Sequence, residues 1–305
     1  MGAEPANNNK DDYNIVLNDY GYYEVSPMPD KETLNAFYAE QYFQDDDVIY
    51  QKQYEDEERA YYIESTERKY AFLNETVNLT AESHPRVLEI GMGEGYALKV
   101  FDDKGFDVLG VDFSDFAVKQ HNPDMVDKTM VADPDSAVEQ FIEEGRQFDL
   151  VWLDNVLEHS PTPKTLLTNL NKIAAPGACV FIEVPNDFSL IQMELKKRNL
   201  IKSDFWVAPP MHLSYFNIDA LNKLSADCGW RFLRGMSDFP VDFFLMNEKS
   251  NYNLDPSVGK SAHHARIAIE RMLNEQDTSK VIAFYEAMLN VGLGREISSI
   301  YVKDE

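Results

Sequence analysis

A run of three alternating glycines constrains the fold of this 305-residue chain more than any other feature. The segment Arg86-Val-Leu-Glu-Ile-Gly-Met-Gly-Glu-Gly95 carries an apolar strand pattern straight into these glycines. Helical spacing of apolar residues then resumes at Tyr96, so the glycines join a strand to a helix. Glycine adopts backbone conformations that a Cβ forbids and lets a bound molecule touch the backbone. The turn therefore predicts a site for a nucleotide-type cofactor at Gly91, Gly93 and Gly95.

Three acidic residues at or near strand ends extend this pattern. Glu89 stands two residues before the first glycine. There its carboxylate can reach the cationic amino group of a cofactor that carries a methionyl part. Asp112 ends the next strand, about 20 residues after the turn, and ligands bind outside the carboxyl ends of strands. We therefore expect Asp112 to bind the ribose hydroxyls, with helix capping as its alternative role. Phe113 is expected to cover the adenine, and Asp133, at the end of a third strand, to accept a hydrogen bond from the adenine amino group.

The turn after the fourth strand is the predicted reacting centre. Asn155, Glu158 and His159 follow the apolar run Phe148–Leu153 at i, i+3 and i+4, a spacing that brings side chains together in one turn. Asn155 is expected to contact the cofactor. A histidine has an unperturbed pKa near the working pH, so His159 is the first candidate base, and His212 in a later aromatic-rich loop is the second. A purely structural role is the alternative for both histidines.

These motifs together resemble a class I S-adenosylmethionine-dependent methyltransferase. Residues 174–186 are similar to the fifth strand and following loop of that family, and 211–216 resemble a motif of a bacterial small-molecule subgroup. The resemblance implies an α/β fold with a Rossmann-like doubly wound seven-stranded sheet. It also implies S-adenosylmethionine as donor, S-adenosylhomocysteine as product and a small polar acceptor, foremost a hydroxyl of a sugar. Methylation of nitrogen or carbon, or a non-catalytic cofactor-binding partner protein, are the alternatives.

The same residues raise the question of a metal. Glu158, His159 and His212 resemble parts of the Glu-x-x-Glu-His pattern, with a distal histidine, of metal-dependent O-methyltransferases. Asn155 stands where that pattern has its first glutamate. A divalent ion could lower the pKa of an acceptor hydroxyl, but loss of one carboxylate weakens such a site. We therefore predict no metal ligands, with a divalent metal as the less favoured alternative.

Composition limits which binding partners and which cellular compartment we expect for the protein. A net charge of -25 repels phosphate backbones, so nucleic acid is excluded as a substrate. The sequence lacks a signal-peptide pattern and a run of about 18 apolar residues, so we expect no membrane association. The two cysteines, Cys179 and Cys228, lie in apolar segments, which excludes a disulfide framework and the cysteine-rich zinc ribbon of some relatives. We expect a cytoplasmic protein, with a homodimer possible.

The chain is predicted to consist of one core domain with additions. Of its 16 tyrosines, 11 lie within residues 12–70, which indicates an aromatic-rich arm that packs on the core or forms a lid over the donor. Within the core, Ser136 is the expected N-cap of a helix, and Trp230 to Met246 a sixth strand with its continuation. The predicted boundaries are a disordered tail at 1–11, the arm and a helix at 12–80, the cofactor-binding core at 81–249, a helical insertion at 250–293 and a final strand at 294–305.

Overall fold

The computed structural model describes residues 13–30, 33–34, 54–80, 82 and 84–304. The predicted disordered tail at 1–11 lies outside the described residues, and so does the part of the predicted arm between residues 35 and 53. The helices, strands, contacts and cavity of the fold are those formed by the described residues.

A seven-stranded sheet with helices on both faces forms the centre of the molecule, as predicted. The described strands are β1 (Asn14–Leu17), β2 (Tyr23–Ser26), β3 (Arg86–Ile90), β4 (Asp107–Asp112), β5 (Thr129–Val131), β6 (Phe148–Asp154), β7 (Ala174–Pro185), β8 (Ser214–Tyr215), β9 (Trp230–Ser237) and β10 (Glu296–Lys303). The order across the seven-stranded sheet is β5-β4-β3-β6-β7-β10-β9, and among these described strands β10 alone runs antiparallel to its neighbours, β7 and β9. The strand order reverses between β3 and β6, and ligands of open α/β sheets bind beside such a point.

Helices connect the strands and cover the sheet. They are α1 (Asp56–Val77), α2 (Tyr96–Asp103), α3 (Phe116–His121), α4 (Pro134–Glu143), α5 (Pro163–Ile173), α6 (Leu190–Lys197), α7 (Ile218–Asp227), α8 (Gly259–Asn274) and α9 (Thr278–Asn290). The predicted insertion before the last strand is thus a helical pair, α8 and α9. No described helix combines the length and the apolar character needed to cross a bilayer.

Two apolar layers hold the helices against the sheet. One layer joins the sheet to α4, α5 and α7 through residues such as Phe141, Leu167 and Leu221. The other joins it to α1, α2 and α9, and at its centre the rings of Trp152 and Phe181 stack with centroids 3.7 Å apart. Because successive side chains of a strand point to opposite faces, neighbours along each strand enter different layers. The sheet is therefore buried on both faces, which explains the nearly continuous apolar runs of β6 and β7.

Two local predictions are wrong. Asp133, not Ser136, caps α4, and its carboxylate accepts a hydrogen bond from the Ser136 amide at 2.9 Å. Pro134 explains the shift, because proline is well placed at the first helical position, where no amide hydrogen is needed. The strand predicted from Trp230 is β9; it ends at Ser237, and a 3₁₀ helix follows at Val241–Met246. Pro240 lies between the two and cannot donate a hydrogen bond to a sheet ladder.

The N-terminal segment adds a small second sheet. Strand β1 pairs with β2, and β2 pairs with β8, all antiparallel. Val25 of β2 packs there with Trp206 of the loop after β7 and with Tyr215 of β8. The described part of the predicted arm therefore packs against the core, beside the loop that carries His212.

Candidate functional site

A cavity of about 330 Å³ opens at the carboxyl ends of β3, β6 and β7. The glycine turn forms one end of it, and α1 lies over it. Its far wall comes from the adjoining ends of β9 and β10 and from α8. The lining includes Glu89, Gly91, Gly93 and Gly95 at the near end, Tyr54, Tyr61, Tyr62, Arg68 and Lys69 above, and Asp154, Asn155, Glu183, Asp238, Arg266, Glu296 and Ser298 along the floor and far wall.

The glycine turn has the geometry that its sequence predicts. Gly91, Gly93 and Gly95 have φ values of +70°, +50° and +77°, in the left-handed region that favours glycine. A Cβ on Gly91 would lie 2.5 Å from Val156, and a Cβ on Gly95 would lie 2.8 Å from Val118. Side chains of the core therefore pack against one side of the turn. The backbone on its other side faces the cavity, where a cofactor can contact it closely.

Glu89 lines the cavity and is also hydrogen-bonded to the helix that follows the glycine turn. Its carboxylate accepts a hydrogen bond from the amide of Leu98 in α2 at 2.9 Å. Burial raises the pKa of Glu89 well above its usual value, and the charge of Asp154 acts in the same direction. A bound cation would favour the ionised carboxylate, since an opposite charge stabilises it. This environment is consistent with the predicted contact to the amino end of a methionyl group.

Asp112 lies beside the glycine turn. One carboxylate oxygen accepts a hydrogen bond from the Gly93 amide at 3.0 Å, and the other accepts one from the Ser114 amide at 3.3 Å. Burial raises the pKa of Asp112. The residue therefore ties the end of β4 to the turn. Phe113 follows with 41% of its surface exposed, so its ring is accessible to a ligand.

The two remaining predicted cofactor residues, Asn155 and Asp133, differ in position. Asn155 lines the cavity with a positive φ of 54°, and its amide nitrogen donates to Asp154 at 3.0 Å. Asp133 caps α4, which leaves its proposed contact with adenine a prediction. Neither Asp112 nor Asp133 belongs to the cavity lining; Asp112 ends β4, and Asp133 lies two residues after the edge strand β5.

The predicted catalytic residues form a separate group. The rings of His159 and His212 lie 4.9 Å apart, and His159 Nε2 is 3.5 Å from the Glu158 carboxylate. His159 Nδ1 lies 2.6 Å from the Met211 carbonyl, which assigns the ring proton to Nδ1. The structure thus unites Glu158, His159 and His212, but none of them belongs to the described lining of the cavity.

Burial dominates the electrostatics of this group. It lowers the pKa of His212 to about 3 and lowers that of His159, so both rings are neutral. It also raises the pKa of Glu158, which is 1% exposed and whose carboxylate oxygens find no hydrogen-bond partner among the described residues. Neutral imidazoles and a carboxylate within 4.8 Å of one another are a ligand set that a divalent ion could use. Asn155 is not part of that set.

Sequence reasoning missed a polar row on the cavity floor. Asp154 and Glu183 are adjacent on β6 and β7, and both bind Lys69 Nζ of α1, at 2.7 and 2.6 Å. Ser298 of β10 donates its hydroxyl to the other oxygen of Glu183. Burial lowers the pKa of Lys69, but the charges of Asp154 and Glu183 outweigh this and raise it, so the ammonium stays protonated.

A sequence signal for the row does exist. The apolar run of β7 has one charged member, Glu183, and it stands two residues after the buried Phe181. Asp154 likewise stands two residues after Trp152. Since side chains alternate along a strand, each carboxylate lies on the face of its apolar predecessor, one step nearer the cavity. Lys69 gave no comparable signal, because it lies on a long helix among many charged residues.

Comparison with known proteins identifies the family of this chain. The family model described as "Methyltransferase domain" matches residues 57–234. A ubiquinone biosynthesis O-methyltransferase of Pseudomonas aeruginosa (strain UCBPP-PA14) is 28% identical over 103 residues, which is 33% of this chain. The same match covers only 44% of that relative's own length.

Solved structures that align with most of this chain include methyltransferases. A putative sarcosine dimethylglycine methyltransferase from Galdieria sulphuraria is 16% identical, with a TM-score of 0.47 over 79% of this chain and 85% of its own. A SAM-dependent methyltransferase from Archaeoglobus fulgidus is also 16% identical, with a TM-score of 0.45 over 77% of this chain and 99% of its own.

Proposed function

The chain belongs to the methyltransferase domain family, whose model matches more than half of its length, and on this premise we propose that it transfers a methyl group from S-adenosylmethionine to a small polar acceptor. The acceptor atom that we propose is a hydroxyl oxygen of a sugar or a similar metabolite. The donor supplies an electrophilic methyl group on a positively charged sulfur, and the protein supplies position, charge and a route for the acceptor proton.

The observation that carries this proposal is the composition of the cavity. One end is the glycine turn, which fits the donor, and the other end is lined by charged and hydroxyl side chains such as Lys69, Glu183 and Ser298. These groups already bond one another, but an apolar acceptor would bury their remaining donor and acceptor sites away from water without a hydrogen bond, which costs free energy. A polar acceptor can satisfy them. Holding donor and acceptor side by side in one cavity also supplies the positioning on which methyl transfer depends.

The proposed donor contacts follow the order of the strands. The backbone of Gly91, Gly93 and Gly95 would contact the methionyl and ribose parts, with Asp112 on the ribose hydroxyls. Phe113 would cover the adenine, and Asp133 would accept a hydrogen bond from its amino group. Glu89 and Asn155, both in the cavity lining, would contact the methionyl end. Carboxylates near both the ribose and the amino group suit a cationic donor.

The predicted catalytic residues are retained as one hypothesis for the reaction. His159 would take the acceptor proton, with His212 and Glu158 beside it. Should a divalent ion take part, the same three residues would hold it. Both possibilities require the acceptor to reach this cluster, which lies outside the described cavity lining.

Calorimetric titration with S-adenosylhomocysteine tests the donor site. Wild type should bind it, and Asp112→Ala should bind about 10-fold to 100-fold more weakly, because a carboxylate that accepts two ribose hydrogen bonds is lost. Asp127→Ala removes an exposed carboxylate outside the proposed site and should bind like wild type. No binding by wild type would refute the proposed function. Binding without turnover on any sugar, amine or carbon acceptor would favour the non-catalytic alternative.

A further inference from the structure

Four side chains from distant segments meet on the floor of the cavity. Asp154 and Ser298 are the Cα partners of Glu183 on its two neighbouring strands, and Lys69 covers the row from α1. The pairing register of the sheet therefore places three of these side chains side by side, and α1 supplies the fourth.

The direction of Glu183 follows from alternation along β7. Cys179 and Phe181 belong to the apolar layer beneath α1, and Glu183 is the next residue on that face. Ile182 and Val184 point into the opposite layer. Glu183, which is 4% exposed, thus lies where the apolar layer ends and the cavity begins.

Resting on the methyl transfer proposed above, we propose that Glu183 is the general base that takes the proton from the acceptor hydroxyl, with Lys69 and Ser298 as its positioning residues. Its Oε1 lies 2.6 Å from Lys69 Nζ, and its Oε2 accepts the Ser298 hydroxyl. An ionised carboxylate has about four lone-pair sites for hydrogen bonds. These two partners occupy one site on each oxygen, so an acceptor hydroxyl can bind without displacing either of them.

The charges around Glu183 suit a base. Burial raises the pKa of its carboxyl to about 7; the Lys69 ammonium opposes this rise, and the charge of Asp154 adds to it. Repulsion between the charge of Glu183 and those of Glu158 and Glu296 also raises the pKa of these two carboxyls. A general base works best when its pKa lies near the working pH. Lys69 remains protonated beside it and keeps the carboxylate oriented.

The step balances in atoms and electrons. The acceptor proton moves to a Glu183 oxygen while a lone pair of the acceptor oxygen forms the bond to the methyl carbon. The bond from that carbon to sulfur breaks, and its electron pair stays on sulfur. The products are a methyl ether, S-adenosylhomocysteine and a protonated Glu183, which loses its proton to water when the products leave.

The test uses the full chain, S-adenosylmethionine labelled in its methyl group and a pool of neutral monosaccharides as the acceptor probe. Glu183→Gln keeps the shape of the side chain but cannot take a proton, and Glu183→Asp restores a carboxylate one methylene shorter. Glu194→Gln, at a partly exposed carboxylate of α6 outside the cavity, is the matched control. Label transfer is followed from about pH 6 to about pH 9, and S-adenosylhomocysteine binding is measured for every variant.

We expect Glu183→Gln to lower kcat by about 10²-fold to 10⁴-fold, the usual contribution of a general base. KM and S-adenosylhomocysteine affinity should stay close to those of wild type, because the donor turn is untouched. The wild-type rate should rise with pH to a plateau above about pH 7, and Glu183→Gln should lack this rise. Glu183→Asp should recover part of the rate. Ser298→Ala, a small change, should shift the rise to higher pH, because a hydrogen bond to the ionised form is lost.

Contrary results separate the two proposals. A wild-type kcat in Glu183→Gln, or a pH-dependent rise that persists there and disappears in His159→Gln, would overturn the role of Glu183. If the wild-type protein binds S-adenosylhomocysteine but transfers no label to any sugar, both the proposed hydroxyl acceptor and the proposed base are wrong. Failure of wild type to bind S-adenosylhomocysteine would instead refute the donor site on which both proposals rest.

Discussion

Gly91 illustrates how single residues shape the site, because two separate constraints exclude a side chain there. Its φ of +70° disfavours any Cβ, and a Cβ would also lie 2.5 Å from a methyl group of Val156. Gly145 has a similar φ of +66°, but a Cβ built there meets none of the described atoms within 4 Å. The two positions therefore separate backbone strain from steric exclusion.

Gly91→Ala should destabilise the fold by about 2–5 kcal/mol, from left-handed strain of about 1–2 kcal/mol and overpacking of about 1–3 kcal/mol. It should also weaken S-adenosylhomocysteine binding, because the turn must shift. Gly145→Ala should cost only the strain and leave binding intact. Urea unfolding and calorimetry measure both quantities. Equal losses of stability at the two positions would show that Val156 yields without cost.

The cluster of Glu158, His159 and His212 leads to a prediction about metals. A metal activates a hydroxyl only when that hydroxyl can reach the ion. Since none of the three residues lines the described cavity, we expect the rate to be unchanged after exhaustive chelation and dialysis. A loss of activity that added Mg²⁺ or Zn²⁺ restores would contradict this, and would place the acceptor at the cluster. Metal analysis of the untreated protein provides the control.

At the level of elements, α8 of the insertion fixes α1 over the cavity. Glu270 of α8 binds Arg68 at 3.1 Å and accepts a hydrogen bond from the hydroxyl of Tyr61 at 3.0 Å, both partners being on α1. It also binds Arg266 at 3.1 Å on its own helix. Arg266 in turn donates to the Tyr61 hydroxyl and lines the cavity. The insertion thus contributes directly to the wall of the proposed acceptor space.

Glu270→Gln should destabilise the protein by about 3–5 kcal/mol, because it leaves the buried guanidinium of Arg68 and the partly buried guanidinium of Arg266 without their carboxylate. The control is Asp227→Asn, which breaks an exposed pair with Lys164 and should destabilise the protein far less, because water screens exposed charges. Chemical denaturation gives both free energies of unfolding. A loss below about 1 kcal/mol for Glu270→Gln would mean that α8 does not hold α1 in place.

For the whole molecule, buried carboxyls couple stability to pH. Burial raises the pKa of Glu183 and Asp187 to about 7 and that of Asp238 to about 6. The folded protein then holds protons that the unfolded chain has lost, so this stability is present at low pH and disappears as pH rises through the folded values. His159 and His212 act oppositely, because their lowered pKa values favour the folded state at high pH.

These carboxyls outnumber the two histidines, so we expect the melting temperature to fall as pH rises from about 5 to about 8. Acid also reduces the self-repulsion of a chain with a net charge of -25. Asp187→Asn is neutral at every pH and should stabilise the protein more at pH 8 than at pH 5. Asp227→Asn, at an exposed site, should not change this dependence. A melting temperature that rises steadily across the range would show that the histidines dominate.

Sequence alone determined the parts of this protein whose signals are local. The glycine turn, the strand ends at Asp112 and Asp133, and the alternation of strands and helices each lie within a few consecutive residues, and they led to the fold and the donor. Local patterns also misplaced the cap of α4 and the end of β9, where a proline changed the local hydrogen bonding.

Only the tertiary structure decided which polar groups share the cavity. The four residues of the polar row, Lys69, Asp154, Glu183 and Ser298, are spread over more than two thirds of the chain. Strand order and register bring the last three together, and the packing of α1 on the sheet adds Lys69. The same packing gathered Glu158, His159 and His212 outside the described cavity lining, although His159 is only four residues from Asn155, which lines it. A residue type can indicate what chemistry is possible, but the space that it faces depends on contacts between distant segments, which no local pattern encodes.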